Sequence, residues 1–401
     1  MSRNERFLIS ISSLYFMAGT MSAVFVNVYL YAFTGSLLAM TAYSIIRFSC
    51  FPLGFLLGGR LSQKWRLSRV LTIGLSVIVL ALALLLTINP WFDRYPYLIY
   101  SLGLVFGTGE GLFWFSLNSL NLTASSKETR PKFIAILGIF NASAMVLAPF
   151  FATLIVRLSL TDTQGYLRIF QVVIVVQTCA AILSTQVKLP SIQNPYTLKD
   201  KFNLKKDPQW RYVMISHVFL GIRDSLTLVL TGLLIFNATG GKGSTYGDLL
   251  TIFALINVGA NFIAARVIKR HNRISMYIFG AILLFSSTTI LVLIPNLYGA
   301  LYFGIVNAIG GPFFINVFSI ITMNALSDYI QTENIYARMI VKEVALNIGR
   351  VSGMLSILIF SWLLVEPLSL TVAVIVSSSF SLILVFYARN YHQKRETIKV
   401  N

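Results

Sequence analysis

The sequence predicts an all-α integral membrane protein whose chain crosses the bilayer twelve times. This prediction rests on a strongly apolar composition, on long apolar segments that recur along the chain, and on basic residues that alternate between the connections. Of the 401 residues, 56% are hydrophobic and 11% are charged, and the mean hydropathy is +0.76. Soluble domains carry about 25% charged residues. A single aqueous core could not cover this much apolar surface, so lipid is the expected solvent.

Each predicted span is a segment of about 20 mostly apolar residues, the length that a helix needs to cross a bilayer. Short connections that contain Gly, Pro, Asn or charged residues separate most of the segments. The predicted spans are residues 8–33, 37–60, 69–92, 97–121, 133–157, 165–187, 212–237, 246–268, 273–294, 298–325, 337–365 and 367–389. The first follows a basic N-terminus without a small-residue cleavage site, so it is expected to be retained.

The basic residues predict the orientation of these spans. At the two termini and around the even-numbered connections lie 25 of the 32 Lys and Arg residues, whereas Arg94, Arg157, Arg168 and Lys242 lie on the opposite side. Cytoplasmic loops are enriched in Lys and Arg, so both termini are predicted to be cytoplasmic, in the cell membrane. The net charge of +18 is therefore a topology signal that also suits anionic lipids, and it does not indicate a nucleic-acid partner.

Two pairs of segments indicate an internal repeat. GRLSQKWRLSRVLTIG (59–74) is similar to ARVIKRHNRISMYIFG (265–280), and GEGLFWFS (109–116) is similar to GGPFFINV (310–317). Parallel repeats are expected of transporters with a binding site near the bilayer midplane. The predicted domains are an N-terminal six-helix bundle (1–187), a cytoplasmic central loop (188–211) and a C-terminal six-helix bundle (212–401).

Together these features resemble the major facilitator superfamily of transporters. A loop pattern of that family, G-x-L-a-D-r-x-G-r-r, is matched in part after the second span. Its positions are filled by Gly59, Leu61, Ser62 and Lys64, with Gln63 in place of Asp and Arg66 in place of Gly. In APFFAT (148–153) the Pro of an antiporter signature is kept and its glycines are replaced. The resemblance implies a transporter fold and no enzyme activity.

Ionisable residues inside the spans are the main candidates for function. Such charges are costly at membrane depth, and they usually face a cavity or a partner. The six residues are Arg47, Glu110, Arg223, Asp224, Glu343 and Arg350. We interpret Glu110 and Asp224 as proton-coupling candidates; alternatively, Glu110 forms a structural ion pair with Arg47 or Arg350. Because Arg223 and Asp224 are neighbours that point about 100° apart, they are not expected to pair.

The remaining candidates surround these charges. Gly103, Gly107 and Gly111 form a small-residue ridge against which another helix can pack. A helical wheel places His217, Asp224 and Thr231 on one face. Candidates for the substrate cavity are Arg47, Arg223, Arg350, Asn27, Trp114, Asn257 and Asn316, although intramembrane Asn also joins helices. Candidates for gating are Arg60, Lys64, Arg69, Asp328, Glu333 and Glu343. One of the acidic residues Asp328 and Glu333 is expected to meet Arg60, Lys64, Arg66 or Arg69 when the cytoplasmic side is closed.

These features predict a secondary active transporter that moves a small organic solute by alternating access. Proton coupling, export and a monomeric state are favoured, and no cofactor or metal is predicted because the sequence shows no metal-ligand cluster and only three His. Two alternatives stay open: a flippase or exporter of an amphiphilic or lipid-linked substrate, and a membrane sensor or scaffold without transport activity. Fold resemblance does not identify the substrate.

Overall fold

A computed structural model describes residues 2–92, 94, 95, 97–124, 130–189, 198, 207–327, 335–365 and 368–400. Within this part of the chain the structure is helical and has no strands. The first six α-helices are α1 (Arg3–Thr34), α2 (Leu37–Ser62), α3 (Leu67–Ile88), α4 (Leu98–Ala124), α5 (Arg130–Arg157) and α6 (Asp162–Ser184). The others are α7 (Pro208–Leu226), α8 (Gly232–Ala238), α9 (Gly243–Val267), α10 (Arg273–Leu293), α11 (Leu297–Ser327), α12 (Ile335–Leu363) and α13 (Leu368–Val400).

The predicted spans agree with these helices apart from their ends. Among the described residues, eleven helices are long and apolar enough to cross a membrane. The seventh predicted span (212–237) corresponds to α7 and α8, which are separated by a π-helical turn at Thr227–Thr231. At its C-terminal end α13 continues beyond the predicted residue 389 to Val400. The count of twelve spans and the 6+6 arrangement stay predictions.

The chain divides into two compact units. The first contains Met1–Tyr196 and Lys242–Thr251, and the second contains Thr197–Gly241 and Ile252–Asn401. The start of α9 therefore belongs to the first unit, where Asp248 pairs with Arg157 and the Gly243 N–H donates to Asp162 at 2.7 Å. The predicted bundle boundaries at 187 and 212 stay predictions, and most of the central loop lies outside the described residues.

In the first unit, α4 packs against α2 and α3, while α6 packs against α1 and α3. The closest approach is between α2 and α4. A Cβ atom on Gly111 would lie 2.2 Å from the Phe51 carbonyl oxygen and 2.7 Å from the Gly54 Cα atom. No other residue type could occupy this position without moving a backbone. The predicted glycine ridge thus packs against α2.

In the second unit, α7 packs against α12 and α13, and α10 packs against α11 and α13. Its core is built from large side chains that are almost fully buried, such as Trp210 and Tyr277. Glycine again allows close packing, because a Cβ atom on Gly349 of α12 would lie 2.0 Å from the Val218 carbonyl oxygen of α7. Both units therefore contain glycine seams at which two helix backbones nearly touch.

Candidate functional site

An intramembrane ion pair joins α2 to α4 in the first unit. Arg47 donates from Nε to Oε2 of Glu110 at 2.8 Å and from Nη2 to Oε1 at 2.5 Å. Bidentate pairs of this kind are among the strongest charge-assisted hydrogen bonds in proteins. The side chains keep 17% and 14% of their surface exposed, respectively. The pair is therefore shielded, yet it is not sealed inside the protein.

The glycine seam positions this pair. A Cβ atom on Gly107 would lie 2.0 Å from the Arg47 carbonyl oxygen, and one on Gly103 would lie 3.3 Å from the backbone nitrogen of Arg47. Because the backbones approach so closely beside Arg47, its guanidinium reaches Glu110 with both Nε and Nη2. The sequence predicts the ridge but leaves two arginines as partners for Glu110. The structure brings Glu110 together with Arg47.

Aromatic side chains surround the ion pair. The Tyr15 ring stacks on Phe113 with ring centroids 3.7 Å apart and meets the edge of Trp114 at 5.6 Å. The Arg47 guanidinium carbon lies 5.7 Å from the centre of the Phe106 ring. Arginine over an aromatic face is stabilised by the ring quadrupole, so the Phe106 ring helps to hold the guanidinium at this depth.

Tyr43 is a polar residue of this site that sequence reasoning missed. It lies one helical turn before Arg47 on α2, and 1% of its surface is exposed. Its hydroxyl group is buried beside the Arg47 guanidinium, and the contact between them falls short of ordinary hydrogen-bond geometry. Buried polar groups are normally fully hydrogen-bonded, so this hydroxyl next to an ion pair is a group that a ligand could satisfy. The i, i+4 spacing from Arg47 is the signal that could have identified it.

In the second unit, Arg223 and Asp224 pair with each other at 2.7 Å. The expectation that these neighbours do not pair is wrong. Their Cβ directions diverge, but the long arginine side chain bends back across the helix surface, so azimuth alone does not decide the contact. The Arg223 guanidinium carbon also lies 5.7 Å from the centre of the Phe314 ring. The π-helical turn begins three residues after Asp224.

The charged residues of α12 form a chain of contacts along that helix. Glu343 pairs with Lys342 at 3.2 Å. Asn347 donates to the Glu343 carbonyl oxygen at 2.9 Å and accepts from Arg350 at 3.4 Å. Next to the seam, a Cβ atom on Gly221 of α7 would lie 2.8 Å from the Arg350 nitrogen. This places Arg350 beside α7.

The asparagines of the second unit connect α9 to α11. Asn257 donates to the Ala308 carbonyl oxygen at 3.1 Å, and Asn261 donates to the side chain of Asn257 at 3.0 Å. Asn316 completes the series by donating to Asn261 at 3.3 Å. These bonds favour the interpretation of Asn257 and Asn316 as helix-joining residues. In the first unit, Asn27 and Trp114 are partly buried on α1 and α4.

The gating candidates are only partly described. Arg60, Lys64 and Arg69 are exposed at the end of α2 and the start of α3. Asp328 and Glu333 lie outside the described residues, so their predicted contact with the basic loop stays a prediction. Among the described residues, no group of three or more His, Cys, Asp or Glu side chains is arranged to hold a metal ion.

Comparisons with solved structures establish the fold. A mutant of the nucleoside transporter NupG has a TM-score of 0.70 and 11% sequence identity, with 97% of this chain and 99% of that chain covered. An alanine mutant of the Escherichia coli fucose:proton symporter FucP has a TM-score of 0.63 and 12% identity, with 96% and 97% covered. The protein has the major facilitator fold. The fold that the sequence resemblance implies is thereby confirmed.

Sequence relatives give a narrower comparison. The chain is 27% identical over 379 residues to the uncharacterized protein YqgE of Bacillus subtilis. The aligned residues cover 91% of this chain and 85% of that protein. It is 28% identical over 189 residues to an uncharacterized protein encoded in the sodM 3' region of Geobacillus stearothermophilus, covering 47% and 86%. No family model matches the chain.

Proposed function

We propose that the protein is a secondary transporter that moves a small organic solute across the cell membrane by alternating access, coupled to protons. The observation that carries this proposal is the Arg47–Glu110 pair, which lies in two apolar helices and keeps part of both side chains exposed. Ionisable residues at membrane depth commonly mark substrate and proton pathways. A scaffold would have no need to retain such a pair.

The geometry suggests how a proton and a solute could be coupled at this site. In the unprotonated state Glu110 accepts two hydrogen bonds from Arg47. A proton on Glu110 would remove its charge and weaken its hold on the guanidinium. The Arg47 N–H groups, together with the neighbouring Tyr43 hydroxyl, would then be available to acceptor atoms of a solute. Loss of the proton would restore the ion pair and displace the solute.

The similar solved structures support this class of function. NupG is described as a nucleoside transporter and FucP as a fucose:proton symporter. Nucleosides and sugars are polar solutes with rings, and the partly exposed Trp114 ring, which meets Tyr15 edge-on, offers aromatic surface to such molecules. The sequence favours export. The direction of proton movement distinguishes antiport from symport, because antiport moves protons against the solute.

The proposal can be tested with purified protein in liposomes that contain a pH-sensitive dye. Nucleosides and monosaccharides would be added one at a time, and proton movement would be recorded beside protein-free liposomes. We expect at least one solute to move protons in the wild type and none to do so in Glu110→Gln. A solute that raises the melting temperature but is not moved by any imposed gradient would contradict transport and favour a sensor.

A further inference from the structure

A basic cavity lies in the first unit where α3 begins and α6 ends. Its volume is about 620 Å³, within the range of about 300–1,000 Å³ that is usual for ligand pockets. Three cationic and three hydroxyl-bearing residues contribute to its lining. The residues concerned are Arg66, Arg69, Lys188, Ser68, Thr72 and Thr185, with Trp65 beside them. This site is separate from the Arg47–Glu110 pair.

The positive charge of the basic cavity is not neutralised by the described residues around it. None of Arg66, Arg69 and Lys188 forms an ion pair within the described part of the chain. Arg66 is the N-cap residue of α3, and no side chain caps that helix end. Free N–H groups at a helix start add to the attraction for an anion. The cationic side chains and the free backbone N–H groups at the start of α3 therefore both favour an anionic ligand.

The cavity is also held in shape. Asn4 donates from its side chain to the Lys188 carbonyl oxygen and accepts from the Lys188 N–H, both at 3.1 Å. The Thr72 and Ser184 hydroxyl oxygens lie 2.6 Å apart, which joins α3 to the end of α6. The two elements that carry the cations are thus fixed to the body of the unit.

The two loop segments that resemble each other in sequence differ at these cations. With the offset of 206 between the two loop segments, Arg66, Arg69 and Thr72 correspond to Asn272, Ser275 and Ile278. Asn272 closes the second turn by accepting from the Lys269 N–H at 2.7 Å and donating to the Val267 carbonyl oxygen at 2.9 Å. An amide suffices where a turn has to be closed, so closure of the turn does not account for Arg66 and Arg69.

We propose that the basic cavity binds the phosphate headgroup of an anionic phospholipid. The cavity lies at the ends of two membrane-spanning helices, on the side that the basic residues predict to be cytoplasmic. Trp65 is 42% exposed beside it, and tryptophan is enriched at the level of lipid headgroups. Basic pockets between membrane helices on this side bind lipid headgroups. Arginine fits phosphate because its planar donors can contact two oxygens.

Lipid titrations followed by native mass spectrometry test this proposal on the purified protein in detergent. Phosphatidylglycerol should bind more tightly than phosphatidylcholine. Each Arg→Gln or Lys→Gln change in the cavity should weaken phosphatidylglycerol binding about fivefold, since one basic residue contributes about 1 kcal/mol. The Arg66→Gln, Arg69→Gln, Lys188→Gln triple variant should therefore lose roughly 100-fold.

A matched triple variant controls for net charge. Arg266, Lys269 and Arg270 are exposed around the end of α9 and do not line the cavity, so changing all three to Gln should leave tight binding in place. Equal losses of phosphatidylglycerol affinity in the two triple variants, or no loss in the cavity variant, would contradict lipid binding at this cavity. A melting-temperature increase with glycerol phosphate alone, without preference for phosphatidylglycerol, would overturn the assignment to a lipid.

Discussion

The Arg47–Glu110 pair concentrates two charges in a place where each would be costly alone. Removal of one partner from a buried pair costs about 3–5 kcal/mol, while replacement of both partners is often nearly neutral. The two side chains here keep about one sixth of their surface exposed, so the penalty should fall below that range. The pair can thus serve both stability and coupling, and the two roles make different predictions.

For Glu110→Gln we expect a lower melting temperature than for the Arg47→Gln, Glu110→Gln double variant, because only the single change leaves an unmatched arginine. Melting of the detergent-solubilised protein measures this order. In liposomes, exchange of solute across the membrane should survive in Glu110→Gln, whereas accumulation driven by a pH gradient should be lost. A stable Glu110→Gln protein with full gradient-driven transport would contradict both roles.

Tyr43→Phe removes a buried hydroxyl group whose contact with Arg47 falls short of ordinary hydrogen-bond geometry. A buried group left unsatisfied costs about 1–3 kcal/mol, so loss of this poorly satisfied hydroxyl should leave the melting temperature near or above that of the wild type. If the hydroxyl binds the solute, the KM of the variant for transport of that solute should rise while the melting temperature does not fall. Tyr277→Phe is a suitable control, because that hydroxyl is buried without a partner among the described residues and lies in the other unit.

At the scale of helices, the seam between α2 and α4 determines whether the ion pair can form. A Cβ atom on Gly107 would lie 2.0 Å from a backbone oxygen of Arg47, and a backbone cannot move aside as a flexible side chain can. The two helices would therefore have to separate. Overpacking of this kind costs about 1–3 kcal/mol.

Gly107→Ala is accordingly expected to lower the melting temperature and to weaken gradient-driven transport, although it does not alter the charged residues. Gly138→Ala is the matched control, since Gly138 lies on α5 and a Cβ atom there would meet nothing within 4 Å. In a helix this control change should be neutral or stabilising by up to about 1 kcal/mol. Similar melting of the two variants would show that the close seam is unimportant.

Hydropathy predicts the helices well because each must satisfy its backbone hydrogen bonds internally in lipid. The contacts between side chains are harder to predict. Glu110 had two possible arginine partners in the sequence, and only the approach of α2 to α4 decides between them. Arg223 and Asp224 were predicted not to pair because helical azimuth ignores the reach of a guanidinium group. Tyr43 was missed because an aromatic residue in an apolar span is usually interpreted as a core residue.

At the scale of the whole molecule, the distribution of basic residues predicts the orientation in the membrane. Lys242 and Lys269 are both exposed, and they precede and follow α9, which is long enough to cross a bilayer. We expect Cys introduced at Lys242 to react with a membrane-impermeant reagent from outside, and Cys at Lys269 to react only after permeabilisation. Cys50 and Cys179 would first be replaced by Ala. Labelling of both positions in intact cells would contradict the predicted topology.

The π-helical turn at Thr227–Thr231 has a consequence for the rotational phase of its helix. Such a turn accommodates one extra residue, and one residue corresponds to about 100° of rotation. A wheel with uniform spacing places His217, Asp224 and Thr231 together, but the extra residue falls between the last two. Thr231 is turned away, and the face continues at Gly232. Side chains before and after this turn therefore cannot be assigned to one helix face by a uniform spacing of 3.6 residues.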